Sequence, residues 1–439
     1  MKILMLSWEY PPRIIGGLAR HVHDLSVALV QQGHEVEVIT GDHVERSELD
    51  IMDGVRVHRL KMYSPQPLDF LDSVFQFNLD MMERVVGLRE KGVDFDIIHA
   101  HDWLVAYGAK ALKHAYRRPL LATIHATEYG RNHGLHNPLQ RYISSMEWWL
   151  TYEAWHVICC SDYMYNELHQ FLQVPEDKLS VIPNGVNRED FQPSAPDAAE
   201  FRRQYAAPDE KMVFFIGRLV TEKGVGVLIE AVPIILSRYP NCKFVIAGKG
   251  PAADYLKRRA RELGVYERIY FTGFVGDDVR NNLYHVADVA VFPSLYEPFG
   301  IVALEAMAAQ VPVVVSNVGG FAEIIQHGKS GLQALPGNHE SLADNILALL
   351  LAPGLAAKLK ERAYGEVVQE YNWPGIARKT GEIYEKVLDE YESTPWEGPF
   401  TPPQMEEQLL LSRVASFFSR HRGRYQSTGE NLLEQLLKK

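Results

Sequence analysis

Short apolar runs alternate with amphipathic stretches along most of the chain. Residues 2–7 form a continuous apolar run of strand length. Apolar positions then recur at helical spacing over 21–32 and stop at Gly33. Runs at 35–40, 55–59, 97–100 and 120–124 repeat the strand signal, with helical spacing between them. Such alternation predicts a parallel, doubly wound sheet. The segment 178–187 closes this half, and 192–210, rich in proline, alanine and charge, reads as a linker. The pattern then restarts. Strands are expected at 212–216, 243–247, 268–271, 289–292 and 313–315, with helices at 226–237, 251–264 and 342–351.

The expected fold class is therefore α/β, with two Rossmann-like doubly wound parallel-sheet domains facing a cleft, spanning 1–195 and 206–370. Ligands of open parallel sheets bind at the carboxyl ends of the strands, so both sheets can address that cleft. Residues 392–439 hold a proline-rich stretch and a helical piece from Gln404, and read as an appended helical tail.

Composition narrows the function. A length of 439 residues suits two or three domains, and 46% hydrophobic residues suffice for ordinary cores. The formal charge of -11 argues against nucleic-acid binding, which needs a basic stripe. The three cysteines, Cys159, Cys160 and Cys242, have no zinc-like spacing, and two are adjacent, so a reducing, cytoplasmic setting is expected. No signal-peptide layout precedes the first strand, and no apolar run approaches the roughly 20 residues of a membrane span. Peripheral membrane contact stays open.

The sharpest chemistry lies in the second half. Glu297 and Glu305 bracket a segment in which an apolar strand (289–292) is followed by a loop, by Gly300, and by a helix over 301–309. A helix start offers backbone N–H groups and a positive dipole end to an anion. Two carboxylates beside it suit a ligand with both phosphate and hydroxyls, and a sugar nucleotide is one. Arg218 and Lys223 flank the glycine turn after the 212–216 strand, where a diphosphate leaving group would need cations. Surface cations are the plain alternative. Gly248 and Gly250 make another strand-end turn, a weak signal alone. Phe274 and Val275 suit either a nucleobase slot or ordinary core.

The first half adds three sites. The loop from Trp8 to His21 carries Gly16 and Gly17, which let backbone approach a diphosphate, or simply make a turn; no third glycine completes the dinucleotide fingerprint. His99 and His101 precede Asp102 at a strand end. A metal on the paired histidines is disfavoured because no third ligand is spaced for it. Asp102 caps the following helix, or binds a sugar, or both. Asp94 and Asp96 sit at a strand start, the wrong end for the cleft, and read as surface. His125 ends the next strand, as a structural histidine or a sugar contact.

Together these residues resemble the retaining family 4 glycosyltransferases of GT-B fold, over about residues 1–390. The resemblance rests on Gly217-Arg218, Glu222-Lys223-Gly224, Ala247-Gly248-Lys249-Gly250-Pro251, Pro293-Ser294, Glu297-Pro298-Phe299-Gly300 and Glu305. It implies that Glu297 contacts the donor sugar and that Glu305 binds the ribose. It implies that Arg218 and Lys223 hold the diphosphate, and that backbone of Phe299, Gly300, Ile301 and Val302 reaches phosphate and ribose. Gly16, Gly17 and His125 would complete the site from the first domain. Residues 371–391 would cross back onto that domain. The first half is also similar to glycogen synthases, through Gly16-Gly17-Leu18-Ala19 and His99 to Trp103. It departs from them at Ile14, where they usually carry lysine. Glu305 departs too, since the bacterial ones tend to replace it.

The expectation is a hexosyltransferase that moves glucose from ADP- or UDP-glucose to a hydroxyl acceptor such as an α-glucan, with retention and with no metal or cofactor. A lipid, cell-surface polysaccharide or small-molecule acceptor is the alternative. A 2-epimerase of sugar nucleotides or a non-catalytic sugar-binding relative would share the fold.

Overall fold

The computed structural model describes residues 1–42, 49–61, 69–192 and 197–394. Fourteen strands form two sheets among them. The first holds β1 (Lys2–Ser7), β2 (Glu35–Asp42), β3 (Leu49–Met52), β4 (Val55–Lys61), β5 (Ile97–His101), β6 (Leu120–Ile124), β7 (His156–Cys159) and β8 (Leu179–Val181), ordered β3-β4-β2-β1-β5-β6-β7-β8. The second holds β9 (Lys211–Ile216), β10 (Cys242–Ala247), β11 (Ile269–Gly273), β12 (Val289–Phe292), β13 (Val313–Ser316) and β14 (Leu332–Ala334), ordered β11-β10-β9-β12-β13-β14.

The apolar runs become strands covered on both faces, as parallel sheets require; every residue of β5, β6, β12 and β13 is buried. Four strands lie outside the predicted set, among them the three-residue β8 within the segment 178–187. The β3 edge strand alternates exposed and half-buried residues and pairs antiparallel with β4, a pattern too short and polar to read in sequence. The β7 strand carries His156 and follows a helix without turn residues, and β14 has three residues. The presumed linker contains a helix, Ala198–Arg203, whose first N–H groups are capped by Asp197. The first long helix starts earlier than its apolar spacing shows, at Gly17.

Chain order reverses at two points. Beside β1 the sheet continues to β2 on one side and β5 on the other; beside β9 it continues to β10 and β12. The helices that cross over between successive strands leave a crevice at such switch points, outside the strand carboxyl ends. The loops after β1, β5, β9 and β12 are the ones that carry the glycine pair, Asp102, Arg218 with Lys223, and Glu297.

Contacts divide the chain into Met1–Asp389 and Glu390–Lys439. Within the first unit, Trp373, Ile376, Ala377, Tyr384 and Val387 share one buried core with Ile3, Leu25, Val36 and Ile97. The Tyr384 hydroxyl lies 2.7 Å from His99 Nδ1, and the Val186 N–H donates to the Tyr371 carbonyl. A fully buried large side chain contributes about 1.5–3 kcal/mol, so this helix is held on the first sheet by several such residues. The second unit is described through residue 394 only, as the end of the helix Trp373–Ser393. The helical piece expected from Gln404 lies outside the described residues.

Candidate active site

The loops after β9 and β12 are locked together. The Leu295 N–H donates to the Glu222 carbonyl at 2.8 Å. Gly224 has φ +65° and packs so closely on Pro293 that any Cβ would overlap the Pro293 carbonyl. The Lys223 ammonium is thereby brought 2.6 Å from Glu297 Oε2, which also accepts from Ser294 Oγ at 3.0 Å. Glu297 is buried. Arg218 stands half exposed, with its guanidinium 3.3 Å from Glu222. Gly300 has φ +110°, and a Cβ there would run into the Phe321 ring. It starts the helix Ile301–Ala308 without a side-chain cap, which leaves the helix start to be satisfied by a ligand or water.

Glu305 lies one turn inside that helix, buried. Tyr284 Oη donates to its Oε2 at 3.0 Å, and Arg280 Nη1 is 3.4 Å from its Oε1. Arg20, from the first long helix, pairs with Asp277 at 2.5 Å. Burial pulls the Arg20 pKa down, but Glu305 and Asp277 outweigh it and the net direction is up. A cavity of about 20 Å³ is lined by Arg20, His21, Arg280, Ile301, Glu305 and Trp373, among others. Gly250 packs against the Leu219 backbone so tightly that a Cβ would strike its carbonyl, so its lack of a side chain has a structural reason of its own. Phe274 is exposed and Val275 half-buried, just after β11 and just before the helix Asp277–Val286 that supplies Arg280 and Tyr284; the ordinary-core reading of Phe274 fails.

From the first sheet, the glycine pair reaches the same place. A Cβ on Gly17 would lie 3.1 Å from the Ile301 side chain. The Ile15 and Gly16 N–H groups donate to Glu9 Oε2 at 2.5 and 3.3 Å. Burial pushes the Glu9 carboxyl up to about 7, against the pull of those N–H groups and of Arg13. Asp102 has φ +61° and does not cap the short helix Trp103–Val105. Its Oδ1 accepts instead from the His125 N–H at 2.8 Å, which corrects the capping alternative; burial raises its pKa to about 6. The Asp94 carboxylate pairs with Arg89 and Arg118, and Asp96 accepts from the Lys2 N–H, both away from the cleft.

His125 is half-buried, and burial pulls its pKa down to about 3, so it is neutral at pH 7. It is not alone. One ring nitrogen from each of His21, His101 and His125 lies within 4.8 Å of the other two. The spacing argument that denied His101 a further ligand holds along the chain, but the fold supplies two. The loop after β6 also meets the loop after β12. Tyr296 Oη donates to Glu167 Oε1 at 3.2 Å and receives the Thr127 N–H at 3.4 Å, while Thr127 Oγ1 donates to the same carboxylate.

Sequence reasoning missed Glu9, Arg20, His21, Arg280, Tyr284 and the Glu167–Tyr296 contact. Arg20 and His21 stand within four residues of Gly17 and were within reach of the loop argument. The others carry no local signal.

Comparisons with known proteins bear on the family and the fold. Residues 15–190 match the model for glycosyltransferase family 4, and 197–366 match that for glycosyl transferases group 1. An uncharacterized glycosyltransferase of Methanocaldococcus jannaschii is 43% identical over 394 residues, covering 89% of this chain and 99% of its own. A glycogen synthase of Mycobacterium tuberculosis is 37% identical over 399 residues, covering 88% and 94%. The solved structure of sucrose-phosphate synthase from Thermosynechococcus elongatus superposes with a TM-score of 0.76 at 24% identity, covering 88% of this chain and 99% of its own.

Proposed function

The chain belongs to the family 4 glycosyltransferases of GT-B fold, which take a sugar from a nucleotide sugar, and on that premise we propose that it transfers glucose from ADP- or UDP-glucose to an α-glucan with retention. The observation that carries the glucan reading is the 37% identity to a glycogen synthase over 94% of its length.

The residues present suit the chemistry. The bond from the anomeric carbon to the phosphate oxygen breaks, and its electron pair leaves with the diphosphate. The acceptor oxygen bonds to the anomeric carbon on the same face, and its proton passes to the departing phosphate oxygen. Arg218, Lys223 and the N–H groups at Ile301 and Val302 stabilise the charge that develops on the diphosphate. Glu297, held by Lys223 and Ser294, faces the hexose. Glu305 takes the ribose hydroxyls, oriented by Tyr284 and Arg280. The glycine pair carries the phosphates from the opposite side, and neutral His125 hydrogen-bonds a hexose hydroxyl. The buried contact of Tyr296 with Glu167 helps keep water from the reacting centre.

The test is incubation of the purified protein with each nucleoside diphosphate glucose and glycogen. Chain extension that α-amylase removes, with an α anomeric signal in the product, is the expected result. Nucleotide release with no sugar on glycogen, or a β-linked product, would overturn the reading.

A further inference from the structure

Strand β5, the loop after β6 and the first helix bring four histidines into one group, and their partners are unequal. His99 is satisfied at both nitrogens, by Tyr384 Oη and Thr123 Oγ1, each at 2.7 Å. The other three are not. His21 Nδ1 lies 2.6 Å from Asn184 Oδ1 and so donates its proton there, which leaves Nε2 with a free lone pair. That Nε2 is buried without a partner, and so is His101 Nε2. His101 Nδ1 and His125 Nε2 are 3.3 Å apart. His21 is 4% exposed and His101 is 0% exposed.

We propose that His21, His101 and His125 form a site for a borderline-soft divalent cation, Zn²⁺ above all, and that its occupation blocks transfer. Imidazole is the ligand such ions favour, and three histidines with one open position make a familiar zinc set. Zinc–nitrogen bonds of about 2.0–2.1 Å in a tetrahedron put ligand nitrogens about 3.3–3.4 Å apart. One pair already has that spacing, and the third nitrogen lies within 4.8 Å. The Asn184 bond to His21 is the outer partner that metal-bound histidines use to fix tautomer and ring plane. A bound ion takes the His125 lone pair and so removes its bond to the hexose; this half rests on the proposed role of His125, and the binding half does not.

Metal-free whole protein is titrated with Co²⁺, read by its visible absorption, and with Zn²⁺, read by calorimetry. One equivalent with tetrahedral cobalt bands is expected. His21→Ala and His101→Ala should each weaken uptake by more than the roughly 10–100-fold that losing an outer partner costs. The exposed His169→Ala should bind as the wild type does. X-ray absorption of the zinc-loaded wild type needs no variant, and should show three nitrogen ligands at about 2.0–2.1 Å. Absence of stoichiometric uptake, fewer than three imidazoles, or uptake undiminished in the two folded variants would overturn the site. Transfer is then measured with and without one equivalent of Zn²⁺. A tenfold or greater drop reversed by EDTA is expected; full activity with zinc bound would overturn the blocking role and, with it, the hexose contact of His125.

Discussion

Lys223 Nζ lies 2.6 Å from Glu297 Oε2, so the cation and the carboxylate of the two signature loops neutralise each other. Sequence reasoning gave them separate partners, diphosphate and sugar. Their pairing makes each the other's support, and it changes what substitution does.

Lys223→Ala leaves a buried carboxylate held by the Ser294 hydroxyl, so stability falls along with rate. Breaking a buried pair costs about 3–5 kcal/mol, and Lys223 is partly exposed, which places the loss at the lower end. Arg218 is half exposed and paired only weakly with Glu222. Arg218→Ala should keep its melting temperature within a few degrees while turnover drops on the order of a hundredfold. Steady-state kinetics beside thermal unfolding tests this; equal losses of rate and stability in Arg218→Ala would remove the diphosphate role.

Glu305→Ala removes the carboxylate that Tyr284 and Arg280 share and should weaken binding of the free nucleoside diphosphate on the order of tenfold or more. Glu297→Ala should instead keep nucleotide affinity and lose turnover with the sugar donor. Calorimetry with ADP and UDP separates the two, and the reverse pattern would show that the roles are exchanged.

Glu9 has a folded pKa of about 7 against an ordinary 4.5. Between those values the folded state binds more protons than the unfolded chain, so Glu9 makes stability fall as pH rises, by at most about 3–4 kcal/mol across the window. Glu9→Gln should remove that part of the slope. The measurement is the difference in unfolding free energy between wild type and variant from pH 4.5 to 8. A constant difference would mean that Glu9 does not titrate there.

Gly300→Ala meets two obstacles, a φ of +110° and the Phe321 ring. Backbone strain of this kind costs about 1–3 kcal/mol. The adjoining helix start should be displaced and turnover lost. Shortening the ring with Phe321→Leu should recover a part, since it removes the collision and not the strain. A denaturant titration of the single and double variants reads this directly.

Activity should survive exhaustive dialysis against EDTA. Fixed cations and a helix start answer the diphosphate charge without a bound ion. Activity abolished by EDTA and restored by magnesium or manganese would show a different handling of charge. Zinc at the histidines would give the opposite sign, with EDTA raising the rate.

The sheets and most site loops were legible because their signals are local. An apolar run such as 289–292 reports a buried strand, and Gly300 followed by a helical run reports a turn and a helix start. The strands β3, β7, β8 and β14 were missed because β3 is polar and half exposed, β7 opens on His156, and β8 and β14 have three residues each.

The sequence by itself determined two doubly wound sheets, the loops at their switch points, and the presence of Arg218, Lys223, Glu297 and Glu305 on them. Only the tertiary structure decided which of these groups meet. Lys223 and Glu297 are 74 residues apart, Arg20 and Asp277 are 257 apart, and His21 and Asn184 are 163 apart. The physical reason is that strand and helix patterns arise from neighbours along the chain, whereas an ion pair or a histidine cluster arises where folding brings loops far apart in sequence together. Burial there also moves Glu9, Asp102 and His125 away from their ordinary protonation, because the low-polarity interior penalises charge wherever no partner offsets it.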